Sequence, residues 1–308
     1  MKLIKPSYKI INQEKGLEGI YKAIELAGRV SHKSEGNIKE GSAKTFVDNM
    51  IKLGHGAALE FGTVYMKMLG TFLDPTDEEI YMGNYFVNRY IKNPYSKVVI
   101  KHDENWKSNV YVTTNYRVLV EHNWLDDLKY ICEPTEYHEK RYCVKFICDR
   151  GVSHEFVRHR CMSFLQESTR YCNYSSGRFN HELTYIIPSW MNIPEGKYEI
   201  KTNEDFIWDL YCNNNKVTLI GKDSVFVHSL MEIENYYFLL LDNGWKPQQA
   251  RQVLPNALKT ELVVCGFASD WEHFFKLRDD KLHAHPDAYA LAHPLHEEFK
   301  ERGYIDEK

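Results

Sequence analysis

Apolar residues recur at helical spacing over residues 16–28, where Leu17, Ile20, Ala23, Ile24 and Ala27 share one face, and the pattern predicts an amphipathic helix. The chain then turns into Arg29-Val30-Ser31-His32. Ser42 offers a hydroxyl cap for a second helix, which carries Phe46, Val47, Met50 and Ile51 and stops near Gly54. A period of two predicts strands over 63–68, through Val110, Val112 and Thr114, through Tyr142, Val144, Phe146 and Cys148, and through Leu258, Thr260, Leu262 and Val264. Thr76-Asp77-Glu78-Glu79 reads as a capping box opening a helix with Ile80, Tyr85 and Phe86 inward. Ser153 is an expected N-cap after Asp149-Arg150-Gly151. Residues 190–222 are polar and poorly patterned, so a loop is expected there with one short helix around 206–211. A long core helix follows, with Phe226, Leu230, Ile233, Tyr237, Leu240 and Leu241 as its stripe and Gly244 as its C-cap. Pro247 opens a short helix bearing Arg251, and Ser269-Asp270-Trp271-Glu272 caps another that ends near Arg278.

Helices interleaved with alternating strands predict an α/β (α+β) fold, a mixed or antiparallel sheet flanked by helices. At 308 residues the chain could hold one large domain or two ordinary ones, and residues from about 70 to 138 look like an elaboration on the sheet. With 43% hydrophobic residues the chain can bury a substantial core. Its 39 basic and 43 acidic residues are interspersed and give a net charge of −4, which excludes the basic footprint of a general nucleic-acid binder but leaves a single nucleotide possible. No apolar run reaches the length of a membrane span, and MKLIKPSYKIINQEK lacks the apolar core and cleavage site of a signal peptide, so a cytoplasmic protein is expected. The seven cysteines are scattered, never spaced as CxxC, and are expected to be reduced thiols.

Against this background one polar run stands out, Arg158-His159-Arg160-Cys161-Met162-Ser163-Phe164-Leu165-Gln166-Glu167-Ser168-Thr169-Arg170-Tyr171. It lies just past a strand end, a common place for ligand-binding groups. On helical backbone Arg158 and Arg160 would point roughly 200° apart and serve two different ligands. Guanidinium groups bind phosphate bidentately and stay charged when partly desolvated. A surface helix whose arginines pair with Glu155 and Glu167 is the plain alternative.

Arg-His-Arg, seven residues and then Ser, continuing into Thr-Arg-Tyr, resembles the signature of the flavin-dependent thymidylate synthases. Arg29-Val30-Ser31, residues 55–61, Gln249-Ala250-Arg251-Gln252-Val253-Leu254-Pro255 and Leu277-Arg278 fall in the order that family shows. The resemblance implies a single domain over 1–308 with elaborations at about 70–138 and 190–222, and methylation of dUMP to dTMP with FAD, NADPH and 5,10-methylenetetrahydrofolate, in a homotetramer with shared pockets. By resemblance Arg158, His159 and Arg160 contact FAD, and Arg158 also reaches the nucleotide. Gln166, Glu167, Ser168, Thr169 and Arg170 hold dUMP, with Gln166 also near flavin and Glu155 beside the substrate. Arg251 and Arg278 complete the nucleotide pocket, and Arg278 is the catalytic candidate, a cation that favours the N3-deprotonated uracil. Ser31, His55, Ala57, Ser269 and His273 are the remaining flavin candidates.

Several positions depart from the family pattern. Glu155 stands where many members have Gln, Gln166 where many have Glu, and Leu165 where many have Asn. Phe267, Ala268, Ser269 and His273 occupy a flavin-contacting stretch often rich in Asn and Arg. Ser168 has no Asp-His pair placed in sequence to activate it and reads as a ligand, and Cys161 and Cys172 read as structural thiols. No metal is expected. His283, His285, His293 and His296 could suit zinc or iron, but the His-Pro pairs interrupt helical spacing and the relatives carry Ala-His-Pro there as a packing feature. Two rival readings stay open, a non-catalytic nucleotide or RNA-binding module and a His-ligated metallohydrolase.

Overall fold

The strand Lys259–Phe267 is buried along almost its whole length, and covering both of its faces organises the middle of the molecule. A computed structural model describes residues 1–71, 87–102, 107–202 and 208–306. The capping box at Thr76 and the start of the short helix expected around 206–211 lie outside the described residues. The strands are β1 (Lys2–Ile4), β2 (Ser7–Ile11), β3 (Thr63–Thr71), β4 (Lys97–His102), β5 (Lys107–Asn115), β6 (Arg141–Asp149), β7 (Ser163–Gln166), β8 (Thr184–Ile186), β9 (Gly196–Thr202), β10 (Trp208–Cys212), β11 (Asn215–Lys216) and β12 (Lys259–Phe267). The helices are α1 (Gly16–Val30), α2 (Ser42–Lys52), α3 (Gly56–Leu59), α4 (Tyr116–Glu121), α5 (Arg150–Phe156), α6 (Gly221–Asp242), α7 (Pro247–Ala250), α8 (Ala268–Arg278) and α9 (Pro286–Glu301).

Among the described residues three sheets result, in the orders β11-β10-β9-β1-β8, β2-β6-β12-β7 and β3-β5-β4. The second is antiparallel throughout, whereas β1 runs parallel to β8 and antiparallel to β9, so the fold is the expected mixed arrangement flanked by helices. On one face of the central sheet Val144, Phe146, Leu262 and Val264 pack against Trp271, Phe274, Phe275 and Phe299 of α8 and α9. On the other, Val263 and Cys265 pack against Ala27 and Val30 of α1. Strict alternation in β12 therefore does not mean one wet face, because both sides carry helices. Gly28 lets α1 approach α2, since a Cβ there would stand 2.6 Å from the Phe46 ring.

Several expectations change, the first being the cap of α2, which is Gly41 and not Ser42, with no side-chain capping bond. Residues 208–212 form a strand of a β9–β10–β11 meander rather than a short helix, because Leu210, Tyr198 and Cys212 join the core under α6. Asp149, not Ser153, caps α5, its carboxylate accepting from Val152 N–H at 2.8 Å. Helix α8 is capped through Asp270, which accepts from Phe267 N–H, and not through Ser269. Cys143 and Cys265, opposed in the β6–β12 register, are joined by a disulfide, which corrects the expectation of seven thiols. Cys132, Cys148, Cys161, Cys172 and Cys212 are outside any disulfide. No helix among the described residues is long and apolar enough to cross a membrane.

Candidate functional site

Helix α5 ends at Phe156, and the chain turns before entering β7. Arg158, His159 and Arg160 therefore lie on a turn, which replaces the helical projection. The turn sends His159 into the interior against Phe274 and leaves Arg158 and Arg160 exposed. Arg278, in the last turn of α8, reaches this turn across 119 residues of sequence and donates from Nε to His159 Nε2 at 3.1 Å. Its two terminal nitrogens donate to Glu155 Oε2 at 2.8 Å and to the Glu155 carbonyl at 2.7 Å. The other Glu155 oxygen lies 3.6 Å from Arg158. Because an arginine nitrogen can only donate, His159 Nε2 accepts and the ring is neutral, with its proton on Nδ1. Burial first, and then the nearby Arg278 cation, push His159 down to about 4, which agrees with a neutral ring at pH 7. His273 is exposed, its ring 5.8 Å from that of His159.

The end of β7 and the loop after it form a second group. Gln166 donates its amide to Ser153 Oγ at 2.8 Å and to Thr260 Oγ1 at 3.2 Å, tying β7 to α5 and β12. Ser168 N–H donates to the Ser31 carbonyl at 2.9 Å, and His32 stacks on Tyr171 with centroids 5.1 Å apart. Arg251, just past α7, donates to Thr169 Oγ1 at 3.2 Å. Thus Ser31, Ser168, Thr169 and Arg251, scattered over the chain, meet in one patch. Arg170 is exposed with its guanidinium over the Tyr171 ring. Glu167 instead points inward, where it accepts from Lys259 Nζ at 2.8 Å and from the Tyr174 hydroxyl at 3.4 Å.

Beneath this loop lies a network that residue-by-residue reading of the sequence missed. Lys259 also reaches Glu261 at 2.8 Å, Lys33 reaches Glu261 at 2.6 Å and Glu35 at 3.1 Å, and Lys145 pairs with Glu261. Burial alone would raise the Glu261 pKa, but Lys259, Lys145 and Lys33 outweigh it and hold the carboxyl far below its ordinary value. The available signal was Lys259 and Glu261 flanking Thr260 inside an otherwise apolar strand, since such charges are buried only when paired.

The remaining flavin candidates are not drawn into these groups. His55 sits at the N-terminus of α3 and Ala57 within it, both exposed, and neither makes a described hydrogen bond to the 158–171 run. Ser269 spends its hydroxyl on Glu139 at 2.5 Å. A cavity of about 300 Å³ beside Gln13, Tyr65, Arg141 and Tyr304 lies away from all the candidate residues.

The family model described as "Thymidylate synthase complementing protein" matches residues 135–302, more than half of the chain. Proteins named flavin-dependent thymidylate synthase are similar to it. That of Geobacter sulfurreducens is 28% identical over 129 residues, covering 42% of this chain and 43% of the relative. That of Pyrococcus furiosus is 30% identical over 131 residues, with the same coverages. That of Corynebacterium efficiens is 29% identical over 157 residues, covering 50% of this chain and 54% of the relative. The chain thus spans about half the length of the curated relatives it matches. Among solved structures, a UMP/dUMP methylase PolB from Streptomyces cacaoi bound with 5-Br dUMP aligns over 99% of this chain and 93% of its own, at 15% identity and a TM-score of 0.41.

Proposed function

The chain belongs to the thymidylate synthase complementing protein family, and on that premise we propose that it is a flavin-dependent thymidylate synthase. It methylates dUMP to dTMP with FAD as cofactor, 5,10-methylenetetrahydrofolate as carbon donor and NADPH as reductant. The observation that carries the reading is the contact of Arg278 with Glu155 and His159, at the turn that also presents Arg158 and Arg160. Two exposed guanidinium groups on one turn fit the pyrophosphate of FAD, which binds such groups bidentately. The fit is poorer at Ser269, whose hydroxyl is committed to Glu139. Bound FAD would supply the hydride that completes the methyl group.

Arg278 is largely withdrawn from water, its side chain 13% exposed, and the Glu155 carboxylate and the neutral His159 fix its direction. A fixed cation in such a place stabilises negative charge developing on the uracil more than a solvated one does. Ser168, Thr169, Arg170 and Arg251 hold the nucleotide. Gln166 retains its carbonyl oxygen for a ligand, its amide being spent on Ser153 and Thr260, and Glu167 acts through Lys259 by fixing the loop. Ser168 Oγ accepts from Arg170 N–H at 3.3 Å, as suits a ligand group. Ser31, His55, Ala57 and His273 would line the flavin in pockets shared within a homotetramer. The exposure of Arg158, Arg160 and Arg170 in a single chain supports that sharing.

The test is the visible spectrum of the purified chain with and without dUMP, followed by tritium release from C5-labelled dUMP. A flavin spectrum perturbed by dUMP and release that needs the folate and reductant are expected. A protein that binds neither FAD nor dUMP overturns the reading, and steeply salt-dependent oligonucleotide binding without flavin would favour a nucleic-acid module instead.

A further inference from the structure

Helix α9 carries His293, His296 and Glu297 at spacings of three and four residues, which places them on one face. The helix continues through Pro294, so the His-Pro pair does not interrupt this spacing as the sequence suggested. The face looks onto Asp279, the C-cap of α8 and the residue directly after Arg278. Asp279 Oδ1 lies 2.9 Å from His293 Nδ1, and Oδ2 lies 2.6 Å from His296 Nδ1. Ligand atoms of Asp279, His293 and Glu297 fall within 4.8 Å of one another. Both imidazoles are oriented by stacking, His296 on Phe275 at 4.4 Å and His293 on Tyr289 at 5.2 Å, each within 9° of parallel. The Asp279 side chain is 11% exposed and that of Glu297 52%, so the group has a buried floor and an open mouth.

We propose that Asp279, His293, His296 and Glu297 form a binding site for a divalent transition ion of the zinc class. Two imidazoles suit such an ion and disfavour magnesium and calcium, which prefer oxygen alone. The two carboxylates neutralise its charge. A tetrahedral ion with bonds of about 2.0 Å holds its ligand atoms roughly 3.3 Å apart. Asp279, His293 and Glu297 already bring ligand atoms within 4.8 Å of one another, so His296, held 2.6 Å from Asp279 Oδ2, is the ligand that has to turn in, and Glu297 has to leave its 2.9 Å contact with Lys300. Without an ion, Asp279 accepts from both Nδ1–H groups. With one, each ring carries its proton on Nε2 and Nδ1 becomes the ligand, so the step needs no other reactant. The ion would tie the residue after Arg278 to α9. The site stands on its own geometry and does not depend on the dUMP reading.

Isothermal titration of the chelator-treated full chain with Zn²⁺, and visible absorption with Co²⁺ as the spectroscopic probe, test this. The expected result is one Zn²⁺ per chain, a tetrahedral Co²⁺ spectrum, and a Tm raised by Zn²⁺. The variant His293→Ala, alone or with Glu297→Ala, changes exposed side chains and is expected to weaken binding at least tenfold and abolish the rise in Tm. The pair Asp280→Ala and His283→Ala removes the neighbouring exposed Asp-His contact, 2.8 Å long, and is expected to leave binding intact. No Zn²⁺ uptake, several weak equivalents insensitive to His293→Ala, loss with the His283 pair, or equal competition by Mg²⁺ would overturn the proposal and leave a hydrogen-bonded clamp between α8 and α9.

Discussion

Beneath residues 167–171, Lys33, Lys145 and Lys259 interlock with Glu35, Glu167 and Glu261, while above them Arg158, Arg160 and Arg170 point outward. Both regions are dense in charge, yet their partners differ. Glu167 and Glu261 are nearly inaccessible, their side chains 2% and 7% exposed, and every cation around them is matched within the chain. Such groups hold backbone in register, because taking a charge out of water is tolerable only where an opposite charge meets it. The Arg158 side chain is 69% exposed and only loosely engaged, 3.6 Å from Glu155. Its charge is available to an incoming anion. Partnering, not residue type, separates scaffold from binding surface here, and Arg278 sits between the two, paired with Glu155 yet placed at the rim.

Substitutions can break that distinction. The largest effect is expected from Arg278→Ala, which should lower turnover of dUMP by about 10²–10³-fold in the tritium-release assay, the range for losing one preorganised donor. Retained turnover would remove Arg278 from the chemistry. Next, Lys259→Met strands the buried Glu167 carboxylate and should lower the unfolding free energy by about 3 kcal/mol in urea titrations.

Acid should separate the same two regions. His159 is held down to about 4 against an ordinary 6.5, so between those values the unfolded chain binds more protons and stability falls as pH drops from 6.5 toward 4. The depressed Glu261 contributes stability that is complete above its ordinary value of 4.5 and is lost as pH falls through its lowered one. Urea midpoints measured against pH should therefore show His159→Gln flattening the upper part of the decline and Lys259→Met weakening the lower part. Arg170→Ala is expected to weaken dUMP binding about tenfold, the loss of one charged hydrogen bond, with stability changed by no more than about 0.5 kcal/mol. Cys161→Ala, at an exposed thiol, should leave turnover unchanged; its loss would point to a cysteine nucleophile.

Much of this arrangement was legible in the chain. Helix α1, strands β6 and β12 and the long α6 declare themselves by spacing, because a face that must be buried repeats with the period of its backbone. The β9–β10 pair did not, since its residues become apolar in context only when Tyr198, Leu210 and Cys212 meet α6. The disulfide was hidden for a related reason. Residues 143 and 265 face each other only in one register of a pairing between strands 122 residues apart, and spacing along the chain carries no trace of it.

The sequence by itself determined the residue types at the site, the order of the motifs and the family they belong to, because these are properties of short stretches of chain. Only the tertiary structure decided which charges are spent and which are offered. It turned Glu167 inward onto Lys259, fastened Gln166 to Ser153, set Arg278 against a neutral His159, and gathered Asp279 with the α9 histidines. The physical reason is that a charged group's state depends on solvent access and on the opposite charges within a few ångströms. Those neighbours come from other strands and helices, from 13 residues away in sequence for Gln166 and Ser153 to 119 for Arg278 and His159.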